Sequence, residues 1–215
     1  MTGEEAVIVI GAGGHARVLV DALLERGVRV SGLSDPNPGL KGQAVFGVPV
    51  LGDDGILDSY SPESTLLVNG IGSTESMAAR RVVYERLKSR GYRFLSVLHP
   101  SAVVSRHAIL GEGVQVMAGV VVQAGAKVGD NTILNTRASV DHDCGVGRHC
   151  HIAPGATLSG SVDIGDGTHI GVGACITQGV RIGAGCLVAA GAAVVSSVGD
   201  GLRVGGVPAR VMRAA

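Results

Sequence analysis

Between Ser101 and Ser196 every sixth residue is aliphatic, from Val104, Leu110 and Val116 through Val140 and Ile152 to Ile182, Val188 and Val194, sixteen hexads without interruption. The branched residue stands fourth in each unit, the second is usually small or β-branched, and Gly often opens the unit. A period of six is neither that of a helix nor that of a strand. It describes a repeat, a short strand plus a turn that stacks on copies of itself, and repeats of this length are the signature of a parallel β-helix. Three hexads to a coil predict a little over five coils with no inserted loop. Aromatics at 2%, no Trp and 35 Gly suit the narrow lumen of such a prism.

The residues ahead of the repeat follow another grammar. Ala6 to Ile10 reads as a buried strand, followed by Gly11-Ala12-Gly13-Gly14-His15 and a helical pattern from Ala16 to Arg26. Val28 to Leu33 reads as a second strand ending at Ser34-Asp35-Pro36, which makes a βαβ unit. Val45 to Leu51 reads as a short strand, Ser64 to Val68 as a third parallel strand opening into Asn69-Gly70-Ile71-Gly72, and Glu75 to Arg90 as a helix. The expected organisation is an α/β, Rossmann-like nucleotide-binding domain over 1–99, a β-helix over 100–196, and a cap or tail over 197–215 that covers the exposed β edge.

Eighteen basic and eighteen acidic residues leave no net charge. With no basic run and no aromatic ladder, nucleic acid is not an expected partner. No apolar stretch is long enough to span a bilayer, and Glu4 and Glu5 stand where a signal peptide would be basic, so a cytoplasmic protein is expected. Cys144, Cys150 and Cys186 occupy the small second position of their hexads and read as buried thiols. Cys150 and Cys186 fall two coils apart in one column, roughly 9.6 Å at ~4.8 Å per layer, too far to bridge.

The hexads, the segment Val140-Asp141-His142-Asp143, the later His151 and the closing Gly206-Val207-Pro208-Ala209-Arg210 resemble the left-handed β-helix acyltransferases that use acetyl-CoA. With the glycine loop in front, the chain is similar to the branch holding bacillosamine and perosamine N-acetyltransferases and sialic acid O-acetyltransferases. The left hand of the coil is an implication of that resemblance, since parallel crossovers ordinarily take the other. So are a homotrimer with active sites between subunits, acetyl-CoA as cosubstrate without a metal, and a nucleotide-linked amino sugar, GDP- or UDP-linked, as acceptor. The resemblance makes His142 the general base and Asp143 its support, with His151, Gly160, Val172 and Ala190 toward acetyl-CoA. It assigns Gly13, Gly14, His15 and Asp35 to the nucleotide sugar, with Gly72 and Arg80 or Arg81 as further candidates.

The residues themselves support this chemistry in part. Acetyl transfer to an amine needs a base of pKa near ~6.5, and a carboxylate beside an imidazole fixes its tautomer. His142 closes its hexad, where a turn falls, so it and Asp143 need not diverge as neighbours on a strand do. His151 is nine residues further on and is expected on a different face of the prism. Gly11-Ala12-Gly13-Gly14-His15-Ala16 also fits a dinucleotide fingerprint, so an NAD-dependent oxidoreductase is a rival reading, weakened by the small size of the front domain. Hexad β-helices further resemble γ-class carbonic anhydrases, where His149, His151 and His169 would hold zinc.

Overall fold

In the computed structural model, which describes residues 5–73 and 76–212, an α/β domain packs against a prism of stacked coils. Strand β1, Ala6–Ile10, lies between β2 (Gly32–Ser34) and β5 (Thr65–Asn69), both parallel to it. A continuous branched run suits a strand covered on both faces. Helix α1, Gly14–Glu25, connects β1 to β2 and buries Ala16, Leu19, Val20, Ala22 and Leu23. The second strand is shorter than the expected Val28 to Leu33, because the Val28 N–H bonds back to the Leu23 carbonyl (2.9 Å) and closes the helix.

The expected strand over 45–51 is instead a hairpin. Strands β3 (Ala44–Val45) and β4 (Val48–Gly52) run antiparallel around Phe46 and Gly47, whose φ values are 48° and 85°. Such a two-residue turn follows the natural twist of the strands but seldom holds a bulky residue, which conceals it in the sequence. Helix α2, Ala78–Ser89, is followed by β6 (Arg93–Phe94), which pairs with β5. The expected start of α2 at Glu75 lies outside the described residues, as do residues 1–4, which include Glu4, and 213–215 at the two ends.

Strand β7, Val97–Leu98, already pairs with Gln115–Val116, so the boundary drawn at 99/100 falls inside the first coil. Two-residue strands then stack in three parallel sheets, each strand pairing with the one a coil further on, as in Gln115↔Ile133, Ile133↔His151 and His151↔His169. The fourth residues, among them Val116, Leu134, Val140, Ile152 and Ile170, fill the lumen beside small second residues such as Ala126, Cys144 and Ala156. All four cysteines are free. Every hexad from Gly113 to Gly191 opens at positive φ, which explains the recurring Gly there. Asn131, Arg137, Asp143, His149 and Ser161 hold the same conformation with side chains, at a cost of about 1 kcal/mol each.

The coil does not stop where the hexads do. Val198 bridges to Ile182, and Arg203–Val204 pairs with Leu187–Val188, a layer sixteen residues long instead of eighteen. Two missing residues shift the phase, so the pattern fails after Ser196 while the prism continues to Val204. Arg210–Val211 then pairs antiparallel with Arg203–Gly205 at the end of that sheet. The two domains share an apolar core, and Lys88–Glu112 (2.7 Å), Arg26 to the Leu98 carbonyl (3.1 Å) and the edge-on Tyr84–His149 ring contact (5.4 Å) fasten the junction.

Candidate active site

Where α/β domain and prism meet lies a cleft of about 1210 Å³. Gly11, Gly13, Gly14 and His15 line one wall, and Gly70, Ile71, Gly72 and Ser73 the other. Gly11 holds φ 96°, and a Cβ on Gly70 opposite would collide with the Ile10 carbonyl oxygen at 2.7 Å and Ala16 Cβ at 2.8 Å. Gly13 caps α1 without a side-chain acceptor, so the first-turn amides of the helix keep their capacity for an anion. Asp35 accepts from the N–H groups of Ala12 (2.8 Å) and Asn37 (2.9 Å), tying the glycine loop to the end of β2. All of the nucleotide-sugar residues expected from the sequence, Gly13, Gly14, His15, Asp35 and Gly72, thus come together in one cavity.

Apart from His151, which the sequence singled out for another role, the rest of that cavity was not revealed by the sequence. Asp53 and Asp54, beyond β4, join Asp35 at one end, with Asp54 accepting from the Ser34 hydroxyl (2.7 Å). At the prism side Asn135 and His151 complete the lining. Adjacent acids after β4 were a visible signal, but only the order β4-β2-β1 shows that they lie beside Asp35.

Two histidines in this cleft are held neutral. The Gln115 amide is oriented by its donation to the Asn69 carbonyl (2.7 Å), so its Oε1 accepts from His15 Nε2 (2.7 Å). Burial, and then the charge of Arg80, lower the His15 pKa to about 4. On the prism, the Asn135 amide is oriented by the Thr136 N–H bonded to its Oδ1 (2.8 Å), so Nδ2 donates to His151 Nε2 (3.1 Å). His151 therefore carries its proton on Nδ1. Burial, then His169, His15 and Arg80, lower its pKa to about 3. Its ring stacks edge-on to His169 at 4.8 Å. His151 thus belongs to the cleft of its own chain, with Nε2 engaged as an acceptor.

His142 stands elsewhere, at a corner of the prism after Ser139–Val140, with its side chain 53% exposed. Its Nδ1 faces Asp143 Oδ2 at 3.0 Å, and the backbone N–H of His142 binds Asp141 Oδ1 at 2.7 Å. The left-handed turn at Asp143, φ 59°, is what lets neighbouring side chains meet. The hydrogen bond to Asp143 is the main cause that raises the His142 pKa. With Nδ1–H directed at a carboxylate, Nε2 is left as a free base. That nitrogen lies over Gly160 in the next coil, where any Cβ would collide with the ring.

Val172 and Ala190 occupy a different corner, stacked through the Gly191 N–H to Val172 carbonyl bond (2.8 Å), both exposed. Within one chain the structure brings His142 and Gly160 together but joins neither Val172 and Ala190 nor His151 to them. Of the arginine pair, Arg80 is wholly buried, whereas Arg81 is exposed and paired with Glu85 (2.8 Å). For the zinc reading, His149 is taken up by Asn131 Nδ2 (2.9 Å) and the Tyr84 ring, and among the described residues no group of three or more ligating side chains could hold a metal. No helix among them is long and apolar enough to cross a membrane.

A glycine-walled nucleotide-type cleft set against hexad coils with a histidine–aspartate corner defines a class, the sugar acetyltransferases built on a left-handed β-helix. Known proteins agree. Residues 6–99 match the family model of the PglD N-terminal domain. PerB from Caulobacter crescentus, solved with CoA and GDP-perosamine, superposes with a TM-score of 0.89 at 40% identity over 97% of each chain. The acetyltransferase domain of PglB from Neisseria gonorrhoeae FA1090, solved with acetyl coenzyme A, gives 0.89 at 38% identity over 98% of this chain and 100% of that one. Among curated relatives, the GDP-perosamine N-acetyltransferase of Escherichia coli O157:H7 is 31% identical over 81 residues. That match spans 37% of its length, and a match to a tetrahydropyridinedicarboxylate N-succinyltransferase of Methylobacterium spans 25%. The chain belongs to the hexapeptide-repeat sugar acetyltransferases with a PglD-type front domain.

Proposed function

We propose that this protein transfers the acetyl group of acetyl-CoA to the amino group of a nucleotide-linked amino deoxysugar, with a GDP-linked 4-amino sugar such as GDP-perosamine as the favoured acceptor. The observation that carries the reading is the His142–Asp143 pair with Nε2 free above Gly160. The amine nitrogen attacks the thioester carbonyl, the carbon–sulfur bond breaks, and His142 Nε2 takes the amine proton and passes it to the departing thiolate. Asp143 holds the ring and stabilises the imidazolium. Asp35 and Asp53 at the base end of the cleft, beside an Asp54 already paired with Arg86, favour guanine, whose edge offers adjacent N–H donors, over uracil, which offers one.

His142 and the cleft occupy different faces of one chain, which supports a homotrimer in which His142 of one subunit serves a neighbour's cleft. Exposed Val103, Ile109, Val172 and Val195 on the prism supply apolar surface for that contact. Acetyl-CoA, nucleotide sugar and four free thiols fit a cytoplasmic enzyme acting in polysaccharide synthesis.

Thiol release is measured with acetyl-CoA and GDP- or UDP-linked amino sugars, alongside sedimentation. Turnover with a GDP-linked amino sugar by a trimer is expected. His142→Ala should lower turnover by about 10² to 10⁴ while nucleotide-sugar binding persists. Unchanged turnover in that variant, or full activity from a monomer, removes the assignment.

A further inference from the structure

Arg80 lies in the first turn of α2 with its side chain wholly buried. Nη1 donates to the carbonyls of Asn69 (2.6 Å) and Ile71 (2.9 Å), and Nε to the carbonyl of Asn131 on the prism (3.2 Å). Nη2 is buried without a partner. Among the described residues no carboxylate pairs with this guanidinium. Burying a cation is costly unless an anion accompanies it, and the start of a helix, itself the positive end of the dipole, adds to the cost. A neutral staple between β5 and the prism would not need a full charge.

The cleft in front of Arg80 supplies a reason for one. Its described lining contains Asp35, Asp53 and Asp54 but no Lys or Arg, although the ligand proposed for it carries a diphosphate. Ile71, whose carbonyl Arg80 grips, lines that cleft together with Gly70 and Gly72. The field of Arg80 reaches both cleft histidines, and it contributes to holding His15 and His151 neutral.

Resting on the reading that the cleft binds a nucleoside diphosphate sugar, we propose that Arg80 is its positioning residue for charge: a buried cation that fixes the Gly70–Gly72 turn from behind and draws the diphosphate without touching it. Neutralisation completes itself on binding, when the phosphate charge enters the cleft that Ile71 lines, in front of a guanidinium that no carboxylate pairs among the described residues. Attraction of this kind grows with the charge of the ligand, whereas loss of a structural staple does not depend on it. At an effective dielectric near 20, each phosphate charge within ~10 Å is worth on the order of 10-fold in affinity.

The test is calorimetric titration of wild type, Arg80→Met and Arg80→Lys with guanosine, GMP and GDP at one salt concentration. Arg80→Met should weaken GDP roughly 10-fold more than GMP, whose terminal phosphate already carries two charges, and GMP by well over 10-fold, while guanosine changes by less than about 2-fold. Arg80→Lys keeps the charge and should retain the GDP-to-guanosine ratio within about 5-fold of wild type, even where its melting temperature falls. Steady-state kinetics should show the KM for the nucleotide sugar rising in Arg80→Met, with kcat and the KM for acetyl-CoA little changed. Equal losses for all three ligands would make Arg80 a staple and overturn the proposal. If the Met variant does not fold, loss of the ratio in Arg80→Lys overturns it equally. Failure of wild type to bind GDP would overturn the nucleotide reading as well, and it shows before any variant is made.

Discussion

His142 and Asp143 illustrate how a backbone conformation, rather than proximity in sequence, creates the pair proposed to be catalytic. In an extended strand their side chains would point to opposite faces; the left-handed residue at Asp143 turns them together at 3.0 Å. Strain of this kind is tolerated where the surrounding coil enforces it, and it collects at functional corners. The pair also sets a pH dependence. A base must be unprotonated to act, and the bond from Asp143 raises the His142 pKa above its ordinary 6.5. The pH profile of kcat/KM should therefore rise through a pKa above 6.5 and level off beyond it. Asp143→Asn removes the main raising influence, so the rising limb should move to lower pH while the plateau falls on the order of 10-fold. An unmoved limb would mean that the titrating group is not His142.

At the scale of one hexad, glycines do two different jobs. Gly173 opens its unit at φ 65° with open space around it, whereas a Cβ on Gly165 would press on the backbone of Ala184 in the next coil. Gly173→Ala should cost about 1 kcal/mol, the strain of a left-handed L-residue. Gly165→Ala must push two layers apart and should cost about 3 kcal/mol. Urea midpoints distinguish the two. This regularity explains what the sequence could tell. The hexads exposed the prism, the glycine loop exposed the first βαβ turn, and the sixth position of the hexad exposed the His142 corner. Elements that obey no local rule stayed hidden. Phe46 masks a hairpin because its conformation is imposed by the strands it joins, and the shortened last layer defeats counting because hydrogen bonding tolerates a phase shift that a fixed period does not. Asp53, Asp54, Asn135 and the burial of Arg80 depend on which strands become neighbours and on how the two domains dock, and neither is written in spacing.

For the whole molecule, the buried polar junction between the domains carries a stability signature. His15 and His151 have folded pKa values of about 4 and about 3, below the 6.5 of an unfolded histidine. The unfolded chain therefore binds more protons than the native one below pH 6.5, so this contribution is complete above 6.5 and declines as the pH falls toward the folded values. At pH 5 each histidine should remove about 2 kcal/mol. Unfolding free energies at pH 7 and pH 5 in wild type and in His15→Gln check this, the variant losing less on acidification. The same junction places Asn135 and His151, which belong to the prism, at one end of a cleft whose acidic end belongs to the front domain. On the proposed function, recognition of base and of sugar is divided between two separately encoded halves. A chimera that grafts residues 1–96 onto the prism of a relative should inherit its nucleobase from one parent and its sugar from the other, so that donor libraries for glycan engineering could be assembled by recombining halves.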